Sequence, residues 1–247
     1  MSRTIAVFGA GPGLGRSIAI RFGREGFRVA LVARRRDRLD ALVAELAAQG
    51  VEAAAFPADL SDPNGVLAVV DAITARFGSL DVVYYGPSGL ERGLLPVPVL
   101  DVDSASIDGY LDLMLRTPIA LVRAVLPGMR ERGEGGLLFA AGVSAKYPVP
   151  FMGNVGIVLA GLRNYVHNLH AALAGEGVYA GMLPIGALIE RSDAQRLFDA
   201  NPDVRPEQEV ERVEPDHLAE RCWELYRRRD RVEDVVGNFG QEDLASA

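Results

Sequence analysis

Short apolar runs alternate with longer segments of helical periodicity from the first residues to about Glu190. The runs of strand length are Thr4 to Phe8, Arg28 to Ala33, Glu52 to Phe56, Val82 to Tyr85, Gly136 to Ala141 and Tyr179 to Leu183. These runs are apolar throughout, which is typical of parallel strands covered by helices on both faces. The pattern therefore predicts an α/β fold built on a doubly wound parallel sheet.

The segments between the strands predict the helices of this fold. They are Gly13 to Glu25, Asp37 to Gln49, Asp62 to Phe77, about Ser106 to Glu131 and Val155 to Gly175, with a last helix from Pro215 to Arg228. A chain of 247 residues with this pattern is expected to form one domain over residues 1–247. The polar residues of about 190–214 interrupt the pattern and form either a lid over the site or a solvated surface excursion.

The composition excludes several classes of protein. With 49% apolar and 24% charged residues, the chain has the composition of a globular protein and not of a disordered one. Its formal net charge of −7 argues against nucleic acid as a partner, because binding DNA or RNA requires a basic face. The lone cysteine, Cys222, and a first apolar run too short for a signal or a membrane span predict a cytoplasmic protein without a membrane partner.

Glycines fill the turn between the first predicted strand and the first predicted helix. Glycines let backbone N–H groups approach a pyrophosphate, and the N-terminus of the helix adds a partial positive charge. The order of strand, glycine turn and helix therefore predicts a dinucleotide site. Its expected members are Gly9, Gly11, Pro12, Gly13, Leu14 and Gly15.

The spacing of Gly9, Gly13 and Gly15 resembles the G-x-x-x-G-x-G loop of the short-chain dehydrogenase/reductase (SDR) family. Phe8 stands where that family usually has Thr. The resemblance covers about residues 3–190 and implies a single-domain Rossmann fold that holds NAD or NADP.

Two further segments carry the resemblance and imply cofactor contacts. Asp59 and Leu60 stand where the family has its adenine-contacting Asp, although Asp59 is also suited to cap the next helix. Tyr85, Gly86 and Pro87 stand where the family has Asn-Asn-Ala-Gly. Tyr85 and its neighbour Tyr84 either face the cofactor or pack as aromatic core.

The second predicted strand ends in three cations, Arg34, Arg35 and Arg36. An acidic residue here would bind the ribose hydroxyls of NAD, whereas arginines accommodate the 2′-phosphate of NADP. Cations at the start of a helix oppose its dipole, so a bound phosphate would relieve them. Arg34 and Arg35 therefore predict NADP(H) over NAD(H); the alternative is a solvated basic cluster neutralised by Asp37 and Asp40.

The catalytic groups usual in the family are absent where the resemblance assigns them. The positions of its Asn, Ser, Tyr and Lys fall at Met114, Gly142, Val155 and Leu159. A register shifted by one residue recovers no Tyr-Lys pair either. Valine cannot transfer a proton and leucine cannot donate to a ribose, so the family mechanism does not apply in its usual form.

Nearby polar residues are candidates to replace these groups. Ser144, Lys146 and Tyr147 follow the fifth predicted strand, and Asn154 stands at the start of the next helix. Loops at the carboxyl ends of strands line the ligand crevice of such a sheet, so Ser144 and Tyr147 are expected to face substrate. For each residue the alternative is an ordinary polar loop, with Asn154 as the N-cap of the helix.

His167 and His170 share one helix face, but no Cys, Asp or Glu at ligand spacing accompanies them, so no metal is expected. Their helix resembles the dimer helix of the family. The resemblance makes them interface or surface histidines and implies a homodimer or homotetramer.

Together these features predict an SDR-like NADP(H)-dependent oxidoreductase with a non-standard active site. Its partner is a small organic substrate that carries a carbonyl, an activated C=C bond or an imine. The alternative is a protein of the same fold that keeps the nucleotide site without redox chemistry. Such a protein is a binding or regulatory subunit, or a cyclase or dehydratase.

Overall fold

The computed structural model describes residues 2–201, 210–237 and 239. The strands in this part are β1 (Thr4–Phe8), β2 (Arg28–Ala33), β3 (Ala53–Pro57), β4 (Val82–Tyr85), β5 (Gly135–Gly142), β6 (Val178–Gly186), β7 (Leu188–Ile189), β8 (Arg212–Val213) and β9 (Val236–Gly237). The helices are α1 (Leu14–Arg24), α2 (Arg36–Ala48), α3 (Gly65–Phe77), α4 (Ser104–Leu111), α5 (Thr117–Arg132), α6 (Gly153–Ala172), α7 (Asp193–Ala200) and α8 (Pro215–Arg228). Within these residues, no helix is both long enough and apolar enough to cross a membrane.

Seven strands form one parallel sheet in the order β3-β2-β1-β4-β5-β6-β9. The predicted α/β fold with a doubly wound parallel sheet is confirmed. The direction of winding reverses between β1 and β4, and at such a switch point a crevice opens at the carboxyl ends of the strands. β7 and β8 form a separate parallel pair.

Two apolar clusters cover the two faces of the sheet. One cluster includes Ile73 of α3, Leu121 of α5 and Leu162 of α6. The other includes Ile18 of α1 and the buried residues Leu218, Cys222 and Trp223 of α8. Neighbouring residues of each strand alternate between the two clusters, which is why the strands are apolar throughout.

The long helix predicted over Ser106 to Glu131 is wrong in one respect, because it is interrupted. A π-helical turn, Asp112–Arg116, separates α4 from α5, and the N–H of Thr117 donates to the carbonyl of Asp112. Pro118 follows at the start of α5 and has no N–H to offer the carbonyl four residues before it. The loss of this helical hydrogen bond accounts for the widened turn.

The polar stretch at about 190–214 contains structure that the periodicity did not reveal. β7, α7 and β8 lie within or beside it, whereas residues 202–209 lie outside the described residues. The Oγ of Ser192 accepts the N–H of Gln195 at 3.0 Å and caps α7. The Ser-x-x-Gln spacing is a capping signature that would have predicted this helix.

Candidate active site

A cleft of about 1090 Å³ opens at the carboxyl ends of β1, β2, β4 and β5. Pockets for one small molecule usually measure about 300–1,000 Å³, so this cleft can hold a ligand and a cofactor together. One end, here termed the glycine end, is lined by residues 9, 11–15, 33, 34, 58, 60, 84, 86 and 87. The other, here termed the apolar end, is lined by residues 95, 96, 110, 113, 114, 142–144, 148–152, 155, 159 and 239.

The glycine end requires glycine at two positions. Gly9 has a φ of +100°, and a Cβ there would lie 2.8 Å from the carbonyl carbon of Gly86. A Cβ on Gly15 would strike the carbonyl oxygen of Gly9 and approach the Cα of Ala10 to 2.9 Å. Both positions therefore exclude every side chain, and α1 packs directly on the end of β1.

The N-terminus of α1 faces this end of the cleft without a side-chain cap. Among the described residues no side chain caps the N–H groups of its first turn, and that turn contains no acidic residue. Gly13, Leu14 and Gly15 line the cleft, so backbone N–H groups and the positive end of the helix dipole are directed to it. This geometry suits a phosphate group.

Most of the residues predicted to bind a cofactor come together here. Ten of the thirteen line the cleft: Gly9, Gly11, Pro12, Gly13, Leu14, Gly15, Arg34, Leu60, Gly86 and Pro87. The side chains of Arg35, Asp59 and Tyr85 lie elsewhere.

Of the arginines that follow β2, the structure places Arg34 at the cleft. The Nη2 of Arg35 lies 2.7 Å from Asp37 Oδ2, and the Nε of Arg36 lies 2.9 Å from Asp40 Oδ1. The alternative prediction, neutralisation by neighbouring aspartates, thus holds for Arg35 and Arg36. The prediction that Arg35 binds the cofactor is corrected to this extent.

Asp59 is not among the residues that line the cleft, although Ala58, Leu60 and its ion-pair partner Arg92 are. Its Oδ1 accepts hydrogen bonds from the N–H and the hydroxyl of Ser61, both at 2.9 Å, and its carboxylate pairs with Arg92. Burial opposes ionisation, but hydrogen bonds from Arg92 and Ser61 lower the pKa of Asp59 to about 2. The predicted cap is also wrong, because α3 begins six residues later at Gly65.

The two tyrosines of β4 lie on opposite faces of the sheet because strand side chains alternate. The Tyr85 side chain is fully buried and its hydroxyl donates to the carbonyl of Leu113, so it packs in the core and does not reach the cleft. Tyr84 lines the cleft, and its hydroxyl lies beneath Gly86 with no hydrogen-bond partner among the described residues. Burial raises the pKa of both phenols well above the usual range.

The four positions that the resemblance assigns to catalysis meet at the apolar end. Met114, Gly142, Val155 and Leu159 all line the cleft. A Cβ on Gly142 would lie 3.6 Å from a methyl carbon of Leu159, which is ordinary contact. Three elements, the π turn, β5 and α6, thus bring together four residues that cannot transfer a proton.

Of the four candidates to replace the catalytic groups, Ser144, Lys146, Tyr147 and Asn154, Ser144 alone lines the cleft. Its side chain is 7% exposed, and its hydroxyl has no hydrogen-bond partner in the described part of the chain. Tyr147, expected to face substrate, is not among the lining residues; the Nζ of Lys146 lies 5.4 Å from its ring centroid. The expectation for Tyr147 is therefore wrong.

Asn154 is neither a cleft residue nor an N-cap, since Met152 occupies the cap position. Its side chain is 1% exposed. Its Oδ1 accepts the N–H of Val97 at 2.8 Å, and its Nδ2 donates to the carbonyl of Ser106 at 3.0 Å and that of Leu95 at 3.2 Å. The amide therefore holds residues 95–106 against α6 and forms the outer wall of the apolar end.

A charged network behind the apolar end was not foreseen. Glu233 accepts from Lys146 Nζ at 2.6 Å, from Arg163 Nε at 2.7 Å and pairs with His167 Nε2 at 2.9 Å. Burial opposes its ionisation, but the hydrogen bonds from Arg163, Lys146 and His167 lower the pKa of Glu233 to about 2. No local signal predicts this network, because its members lie 66 to 87 residues apart from Glu233.

The second histidine is also held by protein groups. The Nδ1 of His170 lies 2.8 Å from the carbonyl oxygen of Ala180. In the part of the chain that the structure describes, no cluster of His, Cys, Asp and Glu could hold a metal ion.

Comparison with known proteins agrees with this architecture. The family model for short chain dehydrogenases matches residues 3–196. The chain belongs to the short-chain dehydrogenase/reductase family, a family of oxidoreductases. It is 30% identical over 189 residues to a short chain dehydrogenase of Pseudocercospora fijiensis, covering 75% of this chain and 60% of that protein's length.

Two solved structures show the same fold at low identity. L-sorbose reductase of Gluconobacter frateurii, complexed with NADPH and L-sorbose, matches with a TM-score of 0.80 and 22% identity over 97% of this chain and 96% of that one. A 7α-hydroxysteroid dehydrogenase complexed with NADH matches with a TM-score of 0.82 and 20% identity over 95% of this chain and 92% of that one.

Proposed function

We propose that this protein is an NADP(H)-dependent oxidoreductase that acts on a small organic substrate without the Tyr-Lys pair usual in its family. The substrate carries a carbonyl, an activated C=C bond or an imine. The observation that supports the proposal is the glycine end, where Gly9 and Gly15 exclude side chains and the uncapped α1 faces the cleft. A turn with only a structural role would not need backbone N–H groups directed to the cleft beside Arg34.

The residues of the glycine end fit a dinucleotide. The first-turn N–H groups of α1 would hold the pyrophosphate, Ala58 and Leu60 would contact the adenine, and Arg34 would meet the 2′-phosphate. When bound, a nicotinamide cofactor supplies or accepts a hydride. The apolar end excludes water from the place where the substrate would meet it.

The apolar end limits the substrates that this protein can transform. Val155 and Leu159 cannot protonate an alkoxide, so reduction of a simple ketone lacks its usual acid. Hydride transfer to an activated C=C bond depends less on a protein acid, because the negative charge that it creates is delocalised to a distant atom. Hydride transfer to an iminium depends less on one because the substrate already carries the positive charge. Enones and imines are therefore the substrates that we favour.

Titration with NADPH and NADH tests the cofactor site. We expect NADPH to bind more tightly than NADH. Arg34→Ala should lower the affinity for NADPH by about tenfold or more, since a charge-assisted hydrogen bond contributes about 1.5–3 kcal/mol, and should leave the affinity for NADH unchanged. Arg35→Ala should have a smaller effect, because that residue pairs with Asp37. Arg36→Ala, which removes a cation paired with Asp40 outside the cleft, is the matched control. Failure of both nucleotides to bind would overturn the proposal.

A second function is favoured by the four apolar positions of the cleft. A protein of this fold that binds the nucleotide without redox chemistry would serve as a binding or regulatory subunit, or as a cyclase or dehydratase. Stoichiometric consumption of NADPH with any enone, imine or carbonyl substrate would exclude it. Tight NADPH binding without consumption across that panel would favour it over the first.

We further propose a cytoplasmic homodimer or homotetramer that forms through α6. This helix leaves Ile157, Ala160 and Asn164 exposed along one row. Light scattering tests the assembly, and a monomer would contradict it.

We also propose one domain over residues 1–247, in which α7 and its neighbours form a lid. The lid lies close to the glycine turn, because a Cβ on Gly13 would lie 3.1 Å from the Cβ of Ser192.

A further inference from the structure

The apolar end has a chemical character that the family does not dictate. None of the residues that define it carries a charge at neutral pH, and the charged residues that line other parts of the cleft besides Arg34, namely Arg92 and Asp193, pair with Asp59 and Arg38. Its one phenol, Tyr110, donates to the carbonyl of Leu94 at 2.7 Å, and burial raises its pKa to about 12. A charged ligand would lose its hydration here without gaining a counter-charge, which is strongly unfavourable.

Apolar side chains continue from this end to the surface. Leu95 is 63% exposed and Phe151 is 41% exposed, although both line the cleft. Phe151 meets the ring of Phe239 edge-on with centroids 5.8 Å apart, and the N–H of Phe239 donates to Gly186 at 3.2 Å. Large apolar groups at a cleft mouth mark a ligand-binding surface more often than isolated exposed residues do.

One polar group remains unsatisfied within this apolar surface. The hydroxyl of Ser144 is buried and has no partner in the described structure, which costs about 1–3 kcal/mol. It lies 3.7 Å from the place where a Cβ on Gly142 would stand, beside Leu159. A Cβ placed on Gly156 of α6 would lie 3.8 Å from the Cβ of Ser144, so this serine lies against α6 at the point where it lines the cleft.

We propose that the apolar end binds an uncharged, mainly apolar molecule with one hydrogen-bond-accepting oxygen, and that Ser144 donates its hydroxyl proton to this oxygen. The inference names the substrate class of the proposed function and rests on that function for the reaction that follows binding. A molecule with many hydroxyls would leave most of them unpaired on this surface. An apolar enone leaves none unpaired, and of the two substrates favoured above it is the one that carries an accepting oxygen and no charge.

Three probes of similar size test the chemistry of the site. Benzylideneacetone carries one carbonyl, butylbenzene has no oxygen, and cinnamate carries a carboxylate. With the full chain, calorimetric titration should show benzylideneacetone binding most tightly and cinnamate at least about tenfold more weakly. Cinnamate binding as tightly as benzylideneacetone would overturn the proposal.

Substitution of Ser144 tests the hydrogen bond. Ser144→Ala should raise the dissociation constant of benzylideneacetone by about threefold to tenfold, as expected for the loss of one neutral hydrogen bond. The dissociation constant of butylbenzene should not change. The infrared carbonyl stretch of bound benzylideneacetone should move to higher frequency in this variant, which a merely structural role would not cause. Ser144→Cys provides the same comparison with a weaker donor if the alanine variant does not fold. Ser88→Ala is the matched control, because that serine lines the cleft but its hydroxyl accepts the N–H of Leu90.

The outcomes separate this inference from the proposed function. An unchanged affinity and carbonyl stretch in Ser144→Ala, or no binding of benzylideneacetone, would overturn the inference even if NADPH binds. Failure of NADPH to bind while benzylideneacetone still binds through Ser144 would overturn the cofactor proposal alone.

Discussion

The two ends of the cleft present different kinds of group to a ligand. At the glycine end the available groups are backbone groups, and their arrangement requires glycine at positions 9 and 15 because a side chain would not fit there. At the apolar end the contacts come from side chains, and Met114, Val155 and Leu159 offer no polar group. Both ends lie at the carboxyl edge of one sheet, the glycine end beside β1, β2 and β4 and the apolar end beside β5 and α6.

This difference explains how the proposed change of reaction would leave the fold intact. A Cβ at Gly15 would displace the backbone of β1, so that position is tied to the fold itself. A change of side chain at residue 155 or 159 leaves the backbone of α6 in place. Family membership therefore carries the architecture and the backbone site, whereas the reaction depends on side chains that can be exchanged separately.

The largest effect is expected from Gly15→Ala, which places a Cβ against backbone atoms of Gly9 and Ala10. The free energy of unfolding should fall by about 1–3 kcal/mol. The affinity for NADPH should fall at least about hundredfold, because charge-assisted hydrogen bonds to the pyrophosphate are displaced. Denaturant titration and nucleotide titration measure the two effects. Gly11→Ala is the control for stability, since nothing lies within 4 Å of a Cβ there.

If Gly15→Ala left stability and NADPH affinity unchanged, close approach of backbone would not define the glycine end, and the two ends would not differ as described.

A converse experiment places catalytic groups at the apolar end. The variant Gly142→Ser with Val155→Tyr and Leu159→Lys should reduce acetophenone with NADPH about hundredfold faster than the wild type, since a general acid contributes about 10²–10⁴-fold. Space for a Cβ at Gly142 makes the first change tolerable. The initial rate of NADPH oxidation is the measurement. The same triple variant with Phe at position 155 lacks the hydroxyl, and equal rates for the two would contradict the prediction.

Glu233→Gln should weaken the support behind the apolar end and leave the glycine end intact. The side chain is 14% exposed and its folded pKa is about 2, below the ordinary value of 4.5. A lowered pKa stabilises the fold above pH 4.5, and this contribution is lost as the pH falls from about 4.5 towards about 2. The variant should therefore lose about 2 kcal/mol at neutral pH, and the difference from the wild type should shrink over that window.

Denaturant titrations across this pH range measure the effect, and Glu224→Gln, which breaks a helix-surface pair with Arg228, is the control. Benzylideneacetone should bind more weakly to Glu233→Gln, with NADPH affinity unchanged. A pH-independent loss of stability would refute the ionic account.

The smallest effects concern the two tyrosines of β4. Tyr85→Phe removes a hydrogen bond to the carbonyl of Leu113 and should cost about 1 kcal/mol of unfolding free energy. Tyr84→Phe removes a buried hydroxyl without a partner in the described residues and should leave stability unchanged or raise it by up to about 1 kcal/mol. Equal destabilisation would contradict this contrast. A loss of NADPH affinity in Tyr84→Phe would add its hydroxyl to the glycine end.

Much of the scaffold could be predicted because its signals are local. β1, β2, β4 and α8 have the predicted bounds, and ten of the thirteen predicted cofactor residues line the cleft. The errors concern orientation and distance. Because side chains alternate along β4, Tyr85 points into the core. Arg35 pairs with a neighbouring aspartate, and Asn154 forms hydrogen bonds to a segment about 50 residues away in sequence.

The sequence by itself determined the order of strands and helices, the glycine turn and the absence of proton-transferring residues at the expected positions. Each of these depends on residue type and on spacing along the chain, which burial and backbone sterics translate directly into structure. Only the tertiary structure decided that the Ser144 hydroxyl lies near Gly142 without a partner among the described residues, and that Glu233 joins Lys146, Arg163 and His167. Such contacts join distant segments, and their geometry follows from how the packed elements meet.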